Sequence, residues 1–498
     1  MSEEQRWLVC FDTDRIKQYL LATNRLKEIR GGSALLADLD QERKKKLKDR
    51  YGKGNLAYSA GGGAAVLVPT EQEAGELIAE IEREFRAETI TASITGVSHP
   101  LGAVNGGKFG ERITEAGKRL RRVKAAKAEL TTLPIEPYLR LCDSCGKQPA
   151  AARVSGDWLC CSCDRKCKWG SKEREGFFNK FVEWTDSEEW QRARMANDLD
   201  GIGALASPPN YVGFIALDGN HIGDLLDKPE TVEQYRRFSD GLYDLTEEQT
   251  FTALRSYGIP RRNEVAPFEI VLIGGDDVLL ITAADIAIEV ALAIAEGFES
   301  GSPDKVLGPA GLTGVRKKLT MAGGVVLAHA DFPIPAMHQL AEDLQKSAKK
   351  HCASECYETG AIDFLVVSGS DTDLETMRKA IPHRRPYTLE KLGCLLTHIR
   401  RLKEADFPMS QLQAMYQALF ESRVNAQLAS IATLGYLGRR EDKNLYSRLR
   451  HFFSDFGVKF DGQLPPWDTE IEKREERPAS ALTDLVELYP FIQVKGEA

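Results

Sequence analysis

The sequence predicts an α+β protein in which one unit of strand, hairpin, helix, strand and helix occurs twice. Three observations predict this class. Two regions share the same order of strand-like and helix-like patterns, four cysteines stand in two pairs between them, and the last quarter of the chain has helical periodicity. At 498 residues the chain is long enough for three or four domains.

The first copy of the unit lies near the N-terminus. WLVCFDTD is an apolar strand that carries Asp12, and NLAYSAGGGAAVLVPT has the pattern of two strands around a Gly-rich turn. A helical segment follows at about 71–87, then the strand-like TITASITGV and the basic helix ERITEAGKRLRRVKAAK. We assign residues 1–138 to this domain.

The second copy begins at Tyr211. YVGFIALDGN is again an apolar strand with an aspartate near its end, Asp218, and FEIVLIGGDDVLLITA is again two strands around a Gly-rich turn. The helix ADIAIEVALAIAEGF, the strand LTMAGGVVLAH and the helix PAMHQLAEDLQKSAKK complete the unit. We assign residues 208–370 to this domain.

Overlaying the two copies places Asp12 on Asp218. In the turns, the overlay pairs Gly61 with Gly274, Gly62 with Gly275, Gly63 with Asp276 and Ala64 with Asp277. The second copy therefore has carboxylates at its turn, and the first copy has lost them.

The Gly-Gly-Asp-Asp turn is a candidate two-metal site. Gly274 and Gly275 allow a tight turn, so that Asp276 and Asp277 stand at the tip of rigid strands, and Asp218 ends a neighbouring strand. Mg²⁺ or Mn²⁺ prefers such oxygen ligands, and two ions could activate a 3′-hydroxyl and stabilise a leaving pyrophosphate. The alternative is an ordinary hairpin turn, in which Gly-Asp-Asp runs also occur.

The cysteine-rich insert, residues 139–207, has the spacing of a zinc ribbon. Cys142 and Cys145 form one pair, Cys160 and Cys163 form the other, and 14 residues separate the pairs. Four thiolates leave no open position on Zn²⁺, so the ion would be structural. Cys161 could compete with Cys160 for its place.

Composition limits the other function classes. The net charge of −8 and the pI near 5.7 argue against a generally basic nucleic-acid surface, although a local patch or a partner subunit could supply one. The sequence has neither a signal-peptide pattern nor an apolar run of membrane-spanning length, which predicts a cytoplasmic protein. Residues 371–498 are predicted to be an all-helical domain.

Several segments, in order along the chain, resemble the large polymerase-cyclase subunit of type III CRISPR effector complexes. They are TNRLKEIRGGSALLADL, YSAGGGAAVLV, the cysteine insert, LDGNHIGDLL, RRFSDGL, IGGDDVLLI and AIDF. The resemblance implies two ferredoxin-like palm domains of the nucleotidyl cyclase type, the first of them degenerate, a zinc-ribbon insert and a C-terminal all-helical domain.

The resemblance also implies roles for individual residues. The metal ligands would be Asp218, Asp276 and Asp277, with the Gly219 carbonyl as an additional ligand. Lys349 would contact a triphosphate, or else be a solvated lysine at a helix end. The nucleotide pockets would be lined by Gly31, Gly32, Ser33, Ser239, Gly274 and Gly275. A tight turn or cap before a helix is the competing interpretation of the segment RGGS.

We expect the protein to join ATP into cyclic or short linear oligoadenylates, with other CRISPR effector subunits, crRNA and target RNA as partners and no membrane. The alternatives are a stand-alone cyclase that makes a cyclic dinucleotide or another nucleotide conjugate, and a non-catalytic RNA-binding scaffold.

The sequence departs from the family pattern at two places. Asn220 stands where many relatives carry an acidic residue, and could be a weak ligand. No His-Asp pair precedes the first palm, so cleavage of single-stranded DNA is not expected.

Overall fold

The computed structural model describes residues 6–101, 108–128, 138–170, 176–369, 373–379, 381–439, 443–460, 464–475 and 478–494. The predicted domain boundary at 370/371 lies outside these ranges. Within the described part of the chain, no helix combines the length and the apolar character that crossing a membrane requires.

The first palm is a four-stranded antiparallel sheet with helices packed on it, and its strand order is β2-β3-β1-β4. Its elements are β1 (Trp7–Asp14), α1 (Ile16–Leu20), α2 (Leu26–Tyr51), β2 (Leu56–Ala60), β3 (Gly63–Val68), α3 (Glu71–Thr89), β4 (Ser93–Pro100) and α4 (Phe109–Ala128). Helix α3 is an example of how the local sequence specifies these elements. The Thr70 hydroxyl accepts a hydrogen bond from the Glu73 amide at its N-terminus, and apolar residues repeat on its buried face.

The insert follows the first palm. Its elements are β5 (Ala152–Val154), β6 (Asp157–Leu159), α5 (Cys161–Trp169), α6 (Phe177–Thr185), α7 (Glu188–Arg192), β7 (Arg194–Met195) and α8 (Leu199–Gly203). Strands β5 and β6 form a small hairpin beside the cysteines, and α5 begins immediately after Cys160.

The second palm has a larger sheet with the order β10-β11-β8-β12-β13-β14. Its elements are β8 (Tyr211–Gly219), α9 (Val232–Tyr257), β9 (Val265–Ala266), β10 (Phe268–Gly274), β11 (Asp277–Ala283), α10 (Ala284–Ser302), β12 (Met321–His329), α11 (Ile334–Ser354) and β13 (Ala361–Val366). Strand β13 runs parallel to β12, whereas the first four strands of the sheet are antiparallel.

The C-terminal region is helical, as predicted, with one exception. Its elements are α12 (Leu374–Lys379), β14 (Tyr387–Thr388), α13 (Leu389–Glu404), α14 (Met409–Glu421), α15 (Arg423–Arg439), α16 (Lys443–Asp455), α17 (Thr469–Glu475) and α18 (Ala481–Leu488). The exception is β14, which extends the sheet of the second palm through β13. The hydrophobic core also runs without a break from α10 into α13 and α16, so the helices share a core with the palm.

The predicted α+β class with two palms is confirmed, but the predicted order of elements was incomplete. A long helix lies between the first strand and the hairpin in both copies, α2 in the first and α9 in the second. The polar surface of α2 explains why the sequence did not predict it. The helix carries thirteen Lys, Arg, Asp and Glu side chains among its 26 residues, so no clear apolar stripe marks it in the sequence.

The predicted overlay of the two turns was wrong by one residue. In the first hairpin Ala60 pairs with Gly63, and in the second Gly274 pairs with Asp277. The corresponding residues are therefore Gly61 and Gly275, Gly62 and Asp276, and Gly63 and Asp277. The match of Asp12 to Asp218 holds, because Asp12 lies opposite Gly63, and continuing the β8–β11 ladder by one residue places Asp218 opposite Asp277.

Helix α2 of the first palm packs against strand β10 of the second. Arg30 donates from Nε to the Glu269 carboxylate at 3.0 and 3.2 Å and from its terminal nitrogen to the Ala196 carbonyl at 2.8 Å. Ser33 Oγ donates to the Val271 carbonyl at 2.7 Å. Glu269 is only 4% exposed, and burial raises its pKa while Arg30 opposes that rise. The two palms are therefore joined by a buried ion pair.

Breaking this pair on one side should destabilise the protein strongly. We expect Arg30→Met to lower the free energy of unfolding by about 3 kcal/mol or more, because the Glu269 carboxylate would remain buried without a counter-ion. The double variant Arg30→Met, Glu269→Gln should recover part of that loss. Thermal unfolding followed by calorimetry measures both effects.

The matched control is Lys46→Met, which removes a partly exposed lysine paired with Glu80 and Glu84 on the first palm. Exposed pairs contribute less than about 1 kcal/mol. A melting temperature for Arg30→Met equal to that of the control would contradict the buried-pair interpretation.

Candidate metal centres

The structure brings the three predicted aspartates to one edge of the second palm. Asp218 lies near the end of β8, and Asp276 and Asp277 form the end of the adjacent hairpin. The Gly219 amide donates a hydrogen bond to the Asp276 carboxylate, and a Cβ on Gly219 would lie 2.7 Å from Asp276 Oδ2. Glycine is therefore required at 219 because the Asp276 side chain fills the space beside it.

Two of the three aspartates each form an ion pair with a lysine. Lys349 Nζ, on α11, donates to Asp218 Oδ2. Lys17 Nζ, on α1 of the first palm, lies 3.1 Å from Asp277 Oδ1. Lys349 thus lies beside the carboxylates with 39% of its side chain exposed, and its contact with a triphosphate stays a prediction. Lys17 was not predicted from the sequence, because its partner is 260 residues away.

The carboxylates crowd one another. Burial, followed by the charge of Asp277, raises the pKa of Asp276 to about 7, and Lys17 opposes that rise. Burial lowers the pKa of Lys349, with a contribution from the charge of Lys17. A divalent cation would relieve the repulsion between the aspartates, since an opposite charge at short range favours the ionised carboxyl.

The donor chemistry fits Mg²⁺ or Mn²⁺, which take carboxylate oxygens and keep remaining positions for water or phosphate. The oxygen atoms of the three carboxylates do not all lie within 4.8 Å of one another in this structure. Among the described residues, ligand atoms that all lie within 4.8 Å of one another occur in two other groups, four cysteines and a Cys-His-Asp cluster. The lysines account for the open arrangement, because Asp218 and Asp277 each point to an ammonium group.

Asn220, a candidate weak ligand, is buried beside the carboxylates, and no hydrogen bond to its Oδ1 is found among the described residues. Its side chain is 1% exposed, and its Nδ2 donates to Thr320 Oγ1 at 3.0 Å. The Asn220 amide also contacts the Cys352 thiol. The side chain is therefore held in the protein interior. The role of the Gly219 carbonyl as an additional ligand stays a prediction.

The first palm retains half of the same arrangement. Lys124, on α4, lies 2.5 Å from Asp12 Oδ2 and donates to the Thr13 carbonyl at 2.8 Å. This lysine corresponds to Lys349, and Asp12 to Asp218. The turn, however, has Gly62 and Gly63 in place of the two carboxylates, so the first palm lacks their ligands.

A cleft of about 480 Å³ lies between the palms and the insert. We call it the interpalm cleft. It is lined by Ser33, residues 59–62 of the first turn, Phe177 and Lys180 of α6, Asp240, Tyr243 and Asp244 of α9, and Leu272 and Ile273 of β10, among other residues. Ser33 therefore lines a cavity between the palms, as predicted for a pocket residue. Ser239 is not among the lining residues, although its neighbour Asp240 is.

Gly31 and Gly32 are closely packed, and their predicted role in lining a nucleotide pocket stays a prediction. A Cβ on Gly31 would lie 1.9 Å from the Lys166 carbonyl oxygen, and one on Gly32 would meet the Leu20 side chain at 3.1 Å. Both glycines are buried where α2 crosses α5 of the insert. The motif RGGS lies inside α2, so it is also not the turn before a helix that we considered.

The four paired cysteines form a compact cluster. The sulfur atoms of Cys142, Cys145, Cys160 and Cys163 all lie within 4.8 Å of one another, and Cys145 Sγ is 3.9 Å from Cys160 Sγ. Thiolates around tetrahedral zinc, with Zn–S near 2.3 Å, are separated by about 3.8 Å. Cys161 is exposed and stands outside the cluster. The cluster can therefore hold a zinc ion, and Cys160, not Cys161, completes it.

A second cluster of possible metal ligands, not predicted from the sequence, lies in the C-terminal region. Cys394 and His398 stand one turn apart on α13, and His398 Nε2 lies 2.8 Å from Asp455 Oδ2. Burial lowers the pKa of His398, and Asp455 opposes that shift. The four-residue spacing of Cys394 and His398 was the available signal, since such residues share a helix face.

The fold and the carboxylate turn define a two-palm protein of the nucleotidyl cyclase type. A family model for the second palm domain of Cas10/Cmr2 matches residues 211–355. The predicted resemblance to the large subunit of type III CRISPR effector complexes is therefore confirmed, with residues 211–355 similar to the second palm domain of that family.

Individual relatives agree with this assignment. The CRISPR system Cmr subunit Cmr2 of Pyrococcus furiosus is 26% identical over 181 residues, which cover 33% of this chain and 20% of that protein. The crystal structure of Csm1 in T. onnurineus covers 99% of this chain and 70% of its own, with 15% identity and a TM-score of 0.60. The Csm1–Csm4 cassette in complex with pppApApA has 15% identity and a TM-score of 0.58, covering 98% of this chain and 69% of that chain. At these identities the solved structures establish the fold.

Zinc should be present in the purified protein at about one ion per chain. We expect Cys163→Ser to lose it and to lower the melting temperature, because a structural zinc site contributes its binding free energy to folding. The matched control is Cys161→Ser, which changes a neighbouring exposed thiol and should retain the metal. Elemental analysis measures the content, and a zinc-free wild type would contradict the prediction.

Manganese affinity at the aspartates should fall as the solution becomes acidic. Since the pKa of Asp276 is about 7 without metal, the ion must displace a proton below that pH. The apparent affinity should drop by about tenfold per pH unit below 7 and level off above it. Titration of Mn²⁺ followed by electron paramagnetic resonance at pH 5.5 to 8 measures this.

The control for that titration is Asp276→Asn, which removes the titrating group and keeps the shape of the turn. Its weaker Mn²⁺ affinity should depend less on pH than that of the wild type. Equal slopes for the two proteins would show that Asp276 is not the group that titrates.

Proposed function

We propose that this protein joins ATP molecules through 3′–5′ phosphodiester bonds into cyclic or short linear oligoadenylates. The observation that carries the proposal is the convergence of Asp218, Asp276 and Asp277 at the second palm, opposite a first palm that retains Asp12 but has glycines in its turn. One palm thus has the donor set of a two-metal site, and the other has the space for a second nucleotide.

The comparisons support the same substrate class. Structures of the Csm1–Csm4 cassette that share this fold hold pppApApA, cA4 or one ATP. Those ligands are adenylate chains, a cyclic product and the nucleotide from which such chains are made. We extend them to this chain because it shares the fold of those structures and because residues 211–355 match the family model for the second palm domain of Cas10/Cmr2.

In the proposed reaction, the 3′-hydroxyl oxygen of one ATP attacks the α-phosphorus of another. The new P–O bond replaces the bond to pyrophosphate, which leaves, and the hydroxyl proton passes to solvent. When bound, two Mg²⁺ or Mn²⁺ ions would lower the pKa of the hydroxyl and neutralise the pyrophosphate. The three aspartates would hold those ions, and Lys349 would bind the triphosphate once it is released from Asp218.

The first palm would contribute position more than chemistry. The interpalm cleft reaches the first turn at Gly61 and Gly62. The Ser33 and Tyr243 hydroxyls, which donate to Val271 and Glu247, could accept a hydrogen bond from a base or ribose there. Holding two nucleotides in reacting geometry converts a bimolecular step into a local one, which can supply several kcal/mol of the barrier. Other CRISPR effector subunits, crRNA and target RNA are the partners that we propose.

Labelled ATP tests this function. Purified protein is incubated with α-³²P-ATP and Mg²⁺ or Mn²⁺, with and without crRNA and target RNA, and products are separated by chromatography. We expect oligoadenylates from the wild type and a loss of at least about 100-fold from Asp276→Ala, Asp277→Ala, because the charge that stabilises the transition state is removed.

The matched control is Asp12→Asn, at the corresponding position of the degenerate palm, which should retain most of the activity. A dinucleotide product from supplied GTP and ATP would favour the stand-alone cyclase. Absence of any product with all components present, or undiminished product from the double variant, would overturn the catalytic proposal and leave the scaffold alternative.

A further inference from the structure

Lys17 is held in place by the first palm but reaches into the carboxylate site of the second. It lies on α1, a short helix that follows β1, and the next residues Tyr19 and Leu20 are buried. Ile16 packs near the first turn, where a Cβ on Gly62 would lie 3.5 Å from Ile16 Cδ1. The helix is therefore anchored on both sides of Lys17.

The ammonium group of Lys17 contacts the candidate metal ligands of the second palm. Its Nζ lies 3.1 Å from Asp277 Oδ1, and the two side chains are 22% and 33% exposed. The charge of Lys17 also acts on Asp276 and on Lys349. Two lysines, one from each palm, thus converge on three aspartates.

A divalent cation and this ammonium group compete for the same carboxylate. Once an ion binds Asp277, Lys17 faces a positive charge at short range, and this repulsion favours its transfer to another anion. Its flexible four-carbon stem allows that move while the helix stays in place. The anion that the reaction brings to this edge is the triphosphate, which carries more negative charge than two lysines neutralise.

We propose that Lys17 is a phosphate-binding residue that the first palm supplies to the nucleotide of the second palm. Without metal it neutralises Asp277, and with metal and nucleotide it binds the triphosphate beside Lys349. This inference rests on the proposed function for its ligand, but it assigns a role across the domain interface. Nucleotide binding at the second palm then depends on the first palm being docked.

A purely structural salt bridge predicts a different outcome. In that case, removing the lysine would lower stability and weaken Mn²⁺ and nucleotide binding together. Our proposal predicts that the affinities for Mn²⁺ and for the nucleotide change in opposite directions. Removing a competing cation should strengthen Mn²⁺ binding to the free protein, whereas losing a phosphate contact should weaken binding of the nucleotide.

The test uses the full chain and the variants Lys17→Met and Lys17→Arg. Mn²⁺ alone is titrated by electron paramagnetic resonance, and the non-reacting α,β-methylene analogue of ATP is titrated calorimetrically with saturating Mn²⁺. We expect Lys17→Met to bind Mn²⁺ at least as tightly as the wild type, and the analogue about 10- to 100-fold more weakly. Lys17→Arg should restore most of the analogue affinity.

The matched control is Lys118→Met, which changes an exposed lysine on α4 of the same palm and should leave both affinities unchanged. Unchanged analogue affinity in Lys17→Met, or parallel weakening of Mn²⁺ and analogue binding with a lower melting temperature, would overturn the proposal. A wild type that binds the analogue but forms no labelled product would refute the polymerase function and not the role of Lys17. A wild type that does not bind the analogue would refute both.

Discussion

The close approach of two hairpin turns organises this protein. A Cβ on Gly61 of the first palm would lie 3.0 Å from the carbonyl carbon of Gly274 in the second, so the two turns meet backbone to backbone. Gly61 also has a φ of 62°, which side-chain-bearing residues rarely adopt. This contact brings α1 of one palm beside the carboxylates of the other. The position of Lys17 and the opening of the interpalm cleft both depend on it.

The cysteine cluster is linked to the same contact by packing. Helix α5 of the insert, which begins after Cys160, lies against α2 so closely that only glycine fits at 31. Helix α2 in turn carries Arg30 and Ser33 onto β10, the strand that leads into the carboxylate turn. A continuous series of buried contacts therefore connects the insert to the aspartates. Because packed interiors deform little, the packing of the cysteine insert and the orientation of the palms are coupled.

Charge decides what the two palms can bind. The first palm pairs Lys124 with Asp12 and Asp14, and its glycine turn adds no carboxylate to them. The second palm has three aspartates against Lys349 and Lys17, so its ionised form retains a net negative charge. Two copies of one fold thus differ at two side chains of a turn, and this difference separates a candidate metal site from a scaffold for positioning.

The repeated strands and hairpins, the zinc-ribbon spacing and the three aspartates can be read directly from the sequence. These features are local, since alternating apolar strands, Cys-x-x-Cys pairs and a Gly-rich turn each need only a few neighbouring residues. Four other features follow only from the folded chain: the one-residue register of the turns, the burial of Gly31 and Gly32 under α5, the inward position of Asn220 and the reach of Lys17 to Asp277. Those depend on strand pairing and on packing between residues up to 260 positions apart. Such long-range contacts leave no periodic pattern in a single sequence, because each partner satisfies only local rules within its own segment.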